Sequence, residues 1–407
     1  MRRHPGKVLR SLGPGLVAGA PDVDPTTVAT MSVAGATTVF SLSWLVVLLL
    51  PMLASVQVIA SQVGVAAKAG LQEVVRKRFG RRWGLLLLVS VLAVNLITIG
   101  ADLGGGAAAA GLLLNTPARW LGIPYAILLL GLLIFGTYDE VQRVFKYIVL
   151  AFAAYAAAAF MARPDWGAVL AATAIPRFSF KADYVQAMLA ILGTTLTSYA
   201  YVWETEETKE EHKPRSELNV VRLDAGLGMV AAMAVFWFIL IATGATLGTH
   251  HKQVATAEEA ANALAPVAGP WARYLFGVGL LASSFIAVPV LAVVSGELIC
   301  QEVGWKAGLS VRFSEAKPFY GLVAGALAIG VVISLLGVSP ITLLFWASIA
   351  GGLGTPISLV FMLLAARDRQ VMRGVSIGKP LLVAGWFTTA VVMAACAAFL
   401  YLQIFQG

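Results

Sequence analysis

Five acidic residues sit inside or at the ends of long apolar stretches: Asp22, Asp24, Asp102, Glu204 and Glu297. A charged group at the depth of a bilayer is costly, and where one is found it marks an ion path, a proton relay or a ligand counter-ion. Asp22 and Asp24 fall in the run Gly13-Pro14-Gly15-Leu16-Val17-Ala18-Gly19-Ala20-Pro21-Asp22-Val23-Asp24-Pro25-Thr26-Thr27. Proline has no amide donor and clashes with the preceding turn, so a helix crossing this run breaks. Asp24 then fits the N-cap of a second half-helix, with Pro25 at its first position. Capping explains Asp24 alone. It explains neither Asp22 nor the placing of such a cap in hydrocarbon, where unwound backbone is tolerated only when it lines a cavity or is buried in protein. A second interruption reads Gly193-Thr194-Thr195-Leu196-Thr197-Ser198-Tyr199. Taken alone, it is equally a hydroxyl-rich packing face between helices; beside the first, it reads as a second break.

The remaining acids are less specific. Asp102 stands in Gly100-Ala101-Asp102-Leu103-Gly104-Gly105-Gly106, where glycines permit close helix approach. It either helps to draw cations along a path or accepts hydrogen bonds from neighbouring helices. Glu204 leads a cluster with Glu206, Glu207, Glu210 and Glu211. Most of these read as a solvated helix end, with Glu204 deep enough to line an exit route. Glu297 is equally compatible with an interfacial position.

The elements that position these residues follow from composition. Of 407 residues, 59% are hydrophobic and 12% charged, against about 25% charged in an ordinary soluble domain. A soluble enzyme and a disordered chain are both excluded. A helix needs about 20 apolar residues to cross the hydrocarbon. Uncharged or nearly uncharged stretches cover 12–38, 39–67, 83–101, 120–138, 147–162, 184–203, 225–249, 274–296, 318–366 and 380–406, and Gly337-Val338-Ser339-Pro340 divides the stretch 318–366 in two. The expectation is an all-α membrane protein of 11 transmembrane helices, with its termini on opposite sides. Placing the N-terminus inside puts 23 of the 29 Lys and Arg in inside segments. That asymmetry sets the orientation, and it accounts for the net charge of +8 without a nucleic-acid partner. The first apolar segment carries two acids and prolines and lacks a small-residue cleavage pattern, so it reads as a retained helix rather than a signal peptide.

Helix 1 enters from inside and helix 6 from outside, so two halves of opposite topology are expected within one polytopic domain spanning 1–407. Repeat one covers about 11–163, repeat two about 183–366, and an extra helix about 380–404. Paired interruptions in corresponding helices of inverted halves point to a transporter binding site at the midplane. The C-terminal ends of the first half-helices carry partial negative charge, and with Asp24 they favour a cation over an anion. The four histidines, His4, His212, His250 and His251, lie in the tail or loops. That removes haem ligation, histidine-based zinc chemistry and a histidine proton relay from the interior, and His250-His251 reads as solvated loop. Cys300 and Cys396 lie in apolar stretches, offering neither a disulfide framework nor a thiolate metal site.

These residues resemble the Nramp divalent-metal transporters. The likeness is carried by Gly13-Pro14-Gly15, by Asp24-Pro25 where the family signature is Asp-Pro-Gly-Asn, and by Ala34-Gly35-Ala36. It is closer to the Nramp-related magnesium transporters of prokaryotes. Shared with that branch are Asp22, the run from Gly100 to Gly104, Trp203-Glu204 with its trailing acids, and Ser295-Gly296-Glu297 through Gly304-Trp305. The resemblance covers all eleven helices and implies a LeuT-like fold of two inverted five-helix repeats plus one helix. It also implies a metal site of Asp24, Thr27, Asp22, Gly193, Thr194 and Thr197, with Asp102, Glu204 and Tyr199 along the path. Thr27 stands for the motif asparagine, and Thr194 falls where the family uses a backbone carbonyl. Thr197 falls at the family's methionine ligand, Ser198 at a proline and Tyr199 at a histidine; Gly105 replaces an acid and Glu204 a histidine.

Thioether is a soft ligand, whereas carboxylate, hydroxyl and carbonyl oxygens suit Mg2+, Ca2+ and Mn2+. Mg2+ gives up water reluctantly and is held by one or two carboxylates. The expectation is therefore uptake of largely hydrated Mg2+, and also Mn2+, driven by membrane potential without proton coupling. The chain is expected to be no enzyme, to need no cofactor, and to work as a monomer in the bilayer of a prokaryotic inner membrane, N-terminus cytoplasmic and C-terminus extracytoplasmic. Two alternatives remain: a LeuT-fold carrier of amino acids or other organic solutes, and a membrane enzyme using Asp22 and Asp24 to hold Mg2+ for phosphoryl chemistry. The first meets repulsion between the acidic pair and an anionic substrate. The second lacks basic residues for phosphates, since none occurs between Arg10 and Lys68.

Overall fold

The computed structural model describes residues 24–135, 154–210, 218–308, 311 and 315–405, and everything regular among them is helical. In chain order the helices are α1 Pro25–Thr38, α2 Ser43–Ala67, α3 Leu71–Phe79, α4 Arg81–Leu114, α5 Gly122–Phe135, α6 154–161 and α7 Trp166–Ala174. They continue as α8 Ala182–Thr195, α9 Ser198–Glu210, α10 Leu218–Thr246, α11 Ala272–Val303, α12 Lys317–Ser334, α13 Pro340–Arg367 and α14 Lys379–Phe405. Short helical turns join α10 to α11. Among the described residues, eight stretches are long and apolar enough to cross a membrane: α2, α4, α8 with α9, and parts or all of α10, α11, α12, α13 and α14. The other three expected crossings correspond to α1, α5 and α6, whose remainders lie outside the described residues.

The expected division near 337 is present, because α12 ends at Ser334, Gly337 adopts φ +78° and Pro340 opens α13. Positive φ of this kind is open to glycine without the Cβ clash other residues meet. The same device, a left-handed cap, closes α2 at Lys68 and α11 at Gly304.

Long helices pack side by side where small residues let backbones approach. A Cβ on Gly193 of α8 would lie 2.1 Å from the Ser348 carbonyl oxygen and 2.2 Å from the Gly352 nitrogen of α13. Any larger residue at 193 must therefore push the two helices apart. The half-helix α1 is enclosed by α8, α10 and α13, and also touches α4 and α11. Two apolar clusters fill the bundle, one around α1, α8 and α10, the other around α3, α9, α11 and α12. Asp24 stands at the break where α1 begins.

Candidate metal site

Helix 6 breaks as its hydroxyl-rich sequence suggests: α8 stops at Thr195 and α9 starts at Ser198. The last helix carbonyls have no intrahelical donor, and α13 supplies one. Thr355 Oγ1 donates to the Leu196 carbonyl at 3.1 Å, and Ser358 Oγ lies 2.9 Å from Ser198 Oγ. Tyr201 Oη also meets Ser358. These bonds fix the angle between the half-helices and aim the end of α8 at the start of α1.

Asp24 is the N-cap of α1 and is 3% exposed. Its Oδ1 accepts from the Thr27 amide at 2.7 Å, Thr27 Oγ1 at 2.8 Å and Thr26 Oγ1 at 2.6 Å. Tyr199 Oη, one residue into α9, donates to Oδ2 at 3.3 Å. Thr194 Oγ1 in the last turn of α8 lies 3.0 Å from Thr26 Oγ1 and 2.8 Å from Thr27 Oγ1. The two interruptions, some 170 residues apart in sequence, thus share one polar cluster. Its side-chain groups are one carboxylate and four hydroxyls, all oxygen.

Asp102 lies on α4, is 0% exposed, and is close enough to Asp24 for the two charges to interact. It approaches the Thr26 backbone amide, yet neither carboxylate oxygen completes a hydrogen bond. Its own backbone carbonyl accepts from Ser284 Oγ at 2.7 Å, and Tyr125 Oη lies 3.1 Å from that hydroxyl. A Cβ at Gly105, which stands where the resemblance places an acid, would face Leu344 at 3.0 Å and Pro25 at 3.6 Å. One turn along α4, an acid here would therefore press on the start of α1.

Of the expected ligands, Asp24, Thr27 and Thr194 come together, and Tyr199 joins them directly rather than standing further along a path. Thr194 meets the cluster through its hydroxyl. Gly193 is turned onto α13, and Thr197 is buried within the break, where its carbonyl accepts from the Ala200 amide at 3.2 Å. Asp22 lies outside the described residues. Glu204 is half-buried in α9, Glu206 is buried beside Gly70 and accepts from Gln301 Nε2 at 2.7 Å, and Glu297 is buried in α11. His250 and His251 are exposed, and both cysteines are buried and unpaired with each other. Thr26 was not singled out from the sequence. Its signal was there in the triplet after Asp24, because short hydroxyl side chains at the start of a helix turn back onto the cap.

Residues 15–402 match the family described as natural resistance-associated macrophage protein-like, or Nramp. Among individual proteins, the chain is 26% identical over 413 residues to the divalent metal cation transporter MntH of Deinococcus radiodurans, covering 98% of this chain and 91% of that one. It is 27% identical over 406 residues to MntH of Mycobacterium tuberculosis, with 97% and 91% covered. The Eremococcus coleocola manganese transporter superposes with a TM-score of 0.73 at 18% identity, over 97% of this chain and 87% of that one. The structure of MhsT in complex with L-phenylalanine superposes with a TM-score of 0.62 at 13% identity, over 95% and 98%.

Proposed function

The chain belongs to the Nramp family, and we propose that it carries divalent metal ions across the membrane, with Mg2+ as the main substrate and Mn2+ as a second. The fold is LeuT-like, and it alone does not choose the cargo, since MhsT was solved with L-phenylalanine on the same architecture. Asp24 chooses it: a buried carboxylate at the meeting of the two half-helix ends opposes a substrate carboxylate and attracts a cation. The relatives named as divalent metal cation transporters support that class.

The preference for a hard ion rests on one observation, the all-oxygen shell formed by Asp24, Thr26, Thr27, Thr194 and Tyr199. Thr197 stands where the family has a thioether, so no soft donor is offered at that position. Among the described residues, no three His, Cys, Asp or Glu side chains converge to form a protein cage. A site with so few charged ligands suits an ion that keeps most of its water. We assign Asp24 as the charged anchor, Thr27, Thr194, Gly193 and Thr197 as the rim of the site and Asp22 as an outer acid, with Asp102 and Glu204 on the path.

Two charges moving inward through 100 mV gain about 4.6 kcal/mol at about 2.3 per charge, which drives uptake without a coupled proton. The working orientation places the Lys- and Arg-rich ends, including the N-terminus, in the cytoplasm of a prokaryote and the C-terminus outside its inner membrane. The working unit is a monomer of two inverted repeats and an added helix, with no enzymatic step or bound cofactor. Metal flux into liposomes containing the purified protein tests this reading. Entry of both Mg2+ and Mn2+ is expected, with excess Mg2+ suppressing Mn2+ entry and no acidification inside. Mn2+ entry indifferent to excess Mg2+ contradicts the hard-ion site, and acidification that tracks metal contradicts the uncoupled mechanism.

A further inference from the structure

A groove of about 710 Å³ runs between α3, the first turns of α4 and the last turn of α11. We propose that it binds an anionic phospholipid from the leaflet on the Lys- and Arg-rich side of the membrane. The groove is graded. At one end stand Arg76, Lys77 and Arg81, with Val303 in the last turn of α11 beside them; a turn or more further along the helices the wall is Leu85 and Leu88 of α4 and Ile299 of α11. Along α4, position 81 opens the helix and 85 and 88 follow at one-turn intervals, so basic groups give way to apolar ones in the direction of the hydrocarbon. A phospholipid presents the same order, phosphate first and acyl chains below.

The depth of the groove is marked independently. Trp83 and Trp305 lie two residues from Arg81 and Val303 and are 51% and 49% exposed. Tryptophan in this situation belongs to the membrane–water interface. Leu85, on the apolar wall, is 40% exposed, a surface that a free inorganic anion does not need and an acyl chain covers. A soluble anion accounts for the basic end of the groove and leaves the apolar end unexplained.

The positive charge is not cancelled from within. Glu302 lines the groove, but its Oε2 accepts from Gln72 Nε2 at 2.9 Å, on the side facing Gly84. Its backbone carbonyl takes Arg76 Nη1 at 2.8 Å, which plants that guanidinium at the groove while its Nε has no partner. Lys77 pairs with Glu73 at 2.5 Å, an exposed contact of the kind that holds a charge only weakly. Arg81 makes no ion pair among the described residues. Juxtamembrane basic clusters with this composition attract anionic lipid.

The test uses the full chain in phosphatidylcholine nanodiscs containing a minority of phosphatidylglycerol, with spin-labelled lipids reporting the association of each headgroup. The wild type is expected to select labelled phosphatidylglycerol over labelled phosphatidylcholine. The double variant Lys77→Gln/Arg81→Gln is expected to lose about thirtyfold of that preference, as removal of two interfacial charges implies. The charge-keeping pair Lys77→Arg/Arg81→Lys is expected to retain it, and inorganic phosphate in solution is expected not to compete. Unchanged preference in the Gln pair overturns the proposal. So does an equal loss in Arg119→Gln/Arg273→Gln, which removes two exposed charges at the opposite ends of the helices, or competition by phosphate. Metal flux of the same variants in proteoliposomes separates this outcome from any failure of the transport reading, because the groove lies at the start of α4 and Asp102 far along the same helix.

Discussion

Asp24 and Asp102 are both buried and both lie at the heart of the bundle, yet the protein treats them in opposite ways. Asp24 is held by four donors, three of them on one oxygen. Among the described residues, only the Thr26 backbone amide approaches the Asp102 carboxylate, whose backbone is anchored through Ser284. A carboxylate that accepts several fixed hydrogen bonds keeps its position. One without them is poorly stabilised as an anion and responds to whatever arrives nearby. Under the proposed function the pair would divide the work, with Asp24 as a fixed anchor and Asp102 as a neighbour on the cation path.

The largest effect that tests this division is Asp24→Asn. Asparagine caps a helix about as well as aspartate, so α1 keeps its start while the charge is lost. Metal flux in proteoliposomes is expected to fall at least about a hundredfold, equivalent to about 2.7 kcal/mol, with helix content by circular dichroism unchanged. Flux near the wild-type level removes Asp24 as anchor.

Thr27→Val comes next. It keeps the shape of the side chain and the backbone bond, and deletes the hydroxyl that touches both Asp24 and Thr194. A hydrogen bond to a charged group is worth about 1.5–3 kcal/mol, so thermal stability is expected to drop and the apparent affinity for Mg2+ to weaken about tenfold. A tighter-binding variant shows instead that the hydroxyl competes with the ion for Oδ1.

Asp102→Asn is expected to act more gently and in a different pattern. Flux falls by a few-fold, while the melting temperature holds or rises, because an orphaned buried charge has been replaced by a neutral group of the same shape. A drop in melting temperature as large as that of Thr27→Val abolishes the contrast between the two aspartates.

Much of this was readable in advance where the cause is local. The sequence places a proline directly after Asp24, and the structure begins α1 at Pro25 with Asp24 as cap, while the segment before Asp24 lies outside the described residues. Hydroxyls after Gly193 mark the second break, found at Leu196 and Thr197. Rotation about the helix axes was not readable, because it is set by partners distant in sequence. Gly193 faces α13 because Gly352 lets it approach, and this turns the Thr194 hydroxyl toward Thr26 and Thr27. In the same way, nothing near Asp102 in sequence announces Ser284 or Tyr125. Local chemistry marks where the chain breaks, and packing decides which atoms face each other across the break.

The smallest expected effect bears on the anchor's selectivity rather than its strength. Thr197 lies in the helix 6 break, three residues from Thr194, at the position where the resemblance to the wider family places a thioether. Thr197→Met offers a soft donor within the helix 6 break without altering either aspartate. Soft donors favour transition metals over Mg2+, whose hydration shell a thioether cannot replace. The ratio of Mn2+ to Mg2+ flux is expected to rise about two- to threefold through that donor preference, mainly by loss of Mg2+ transport, because a longer side chain also narrows a site that must pass water with the ion. If the ratio stays constant while both fluxes fall, the residue acts by size alone, and hardness at this site resides wholly in the hydroxyls around Asp24.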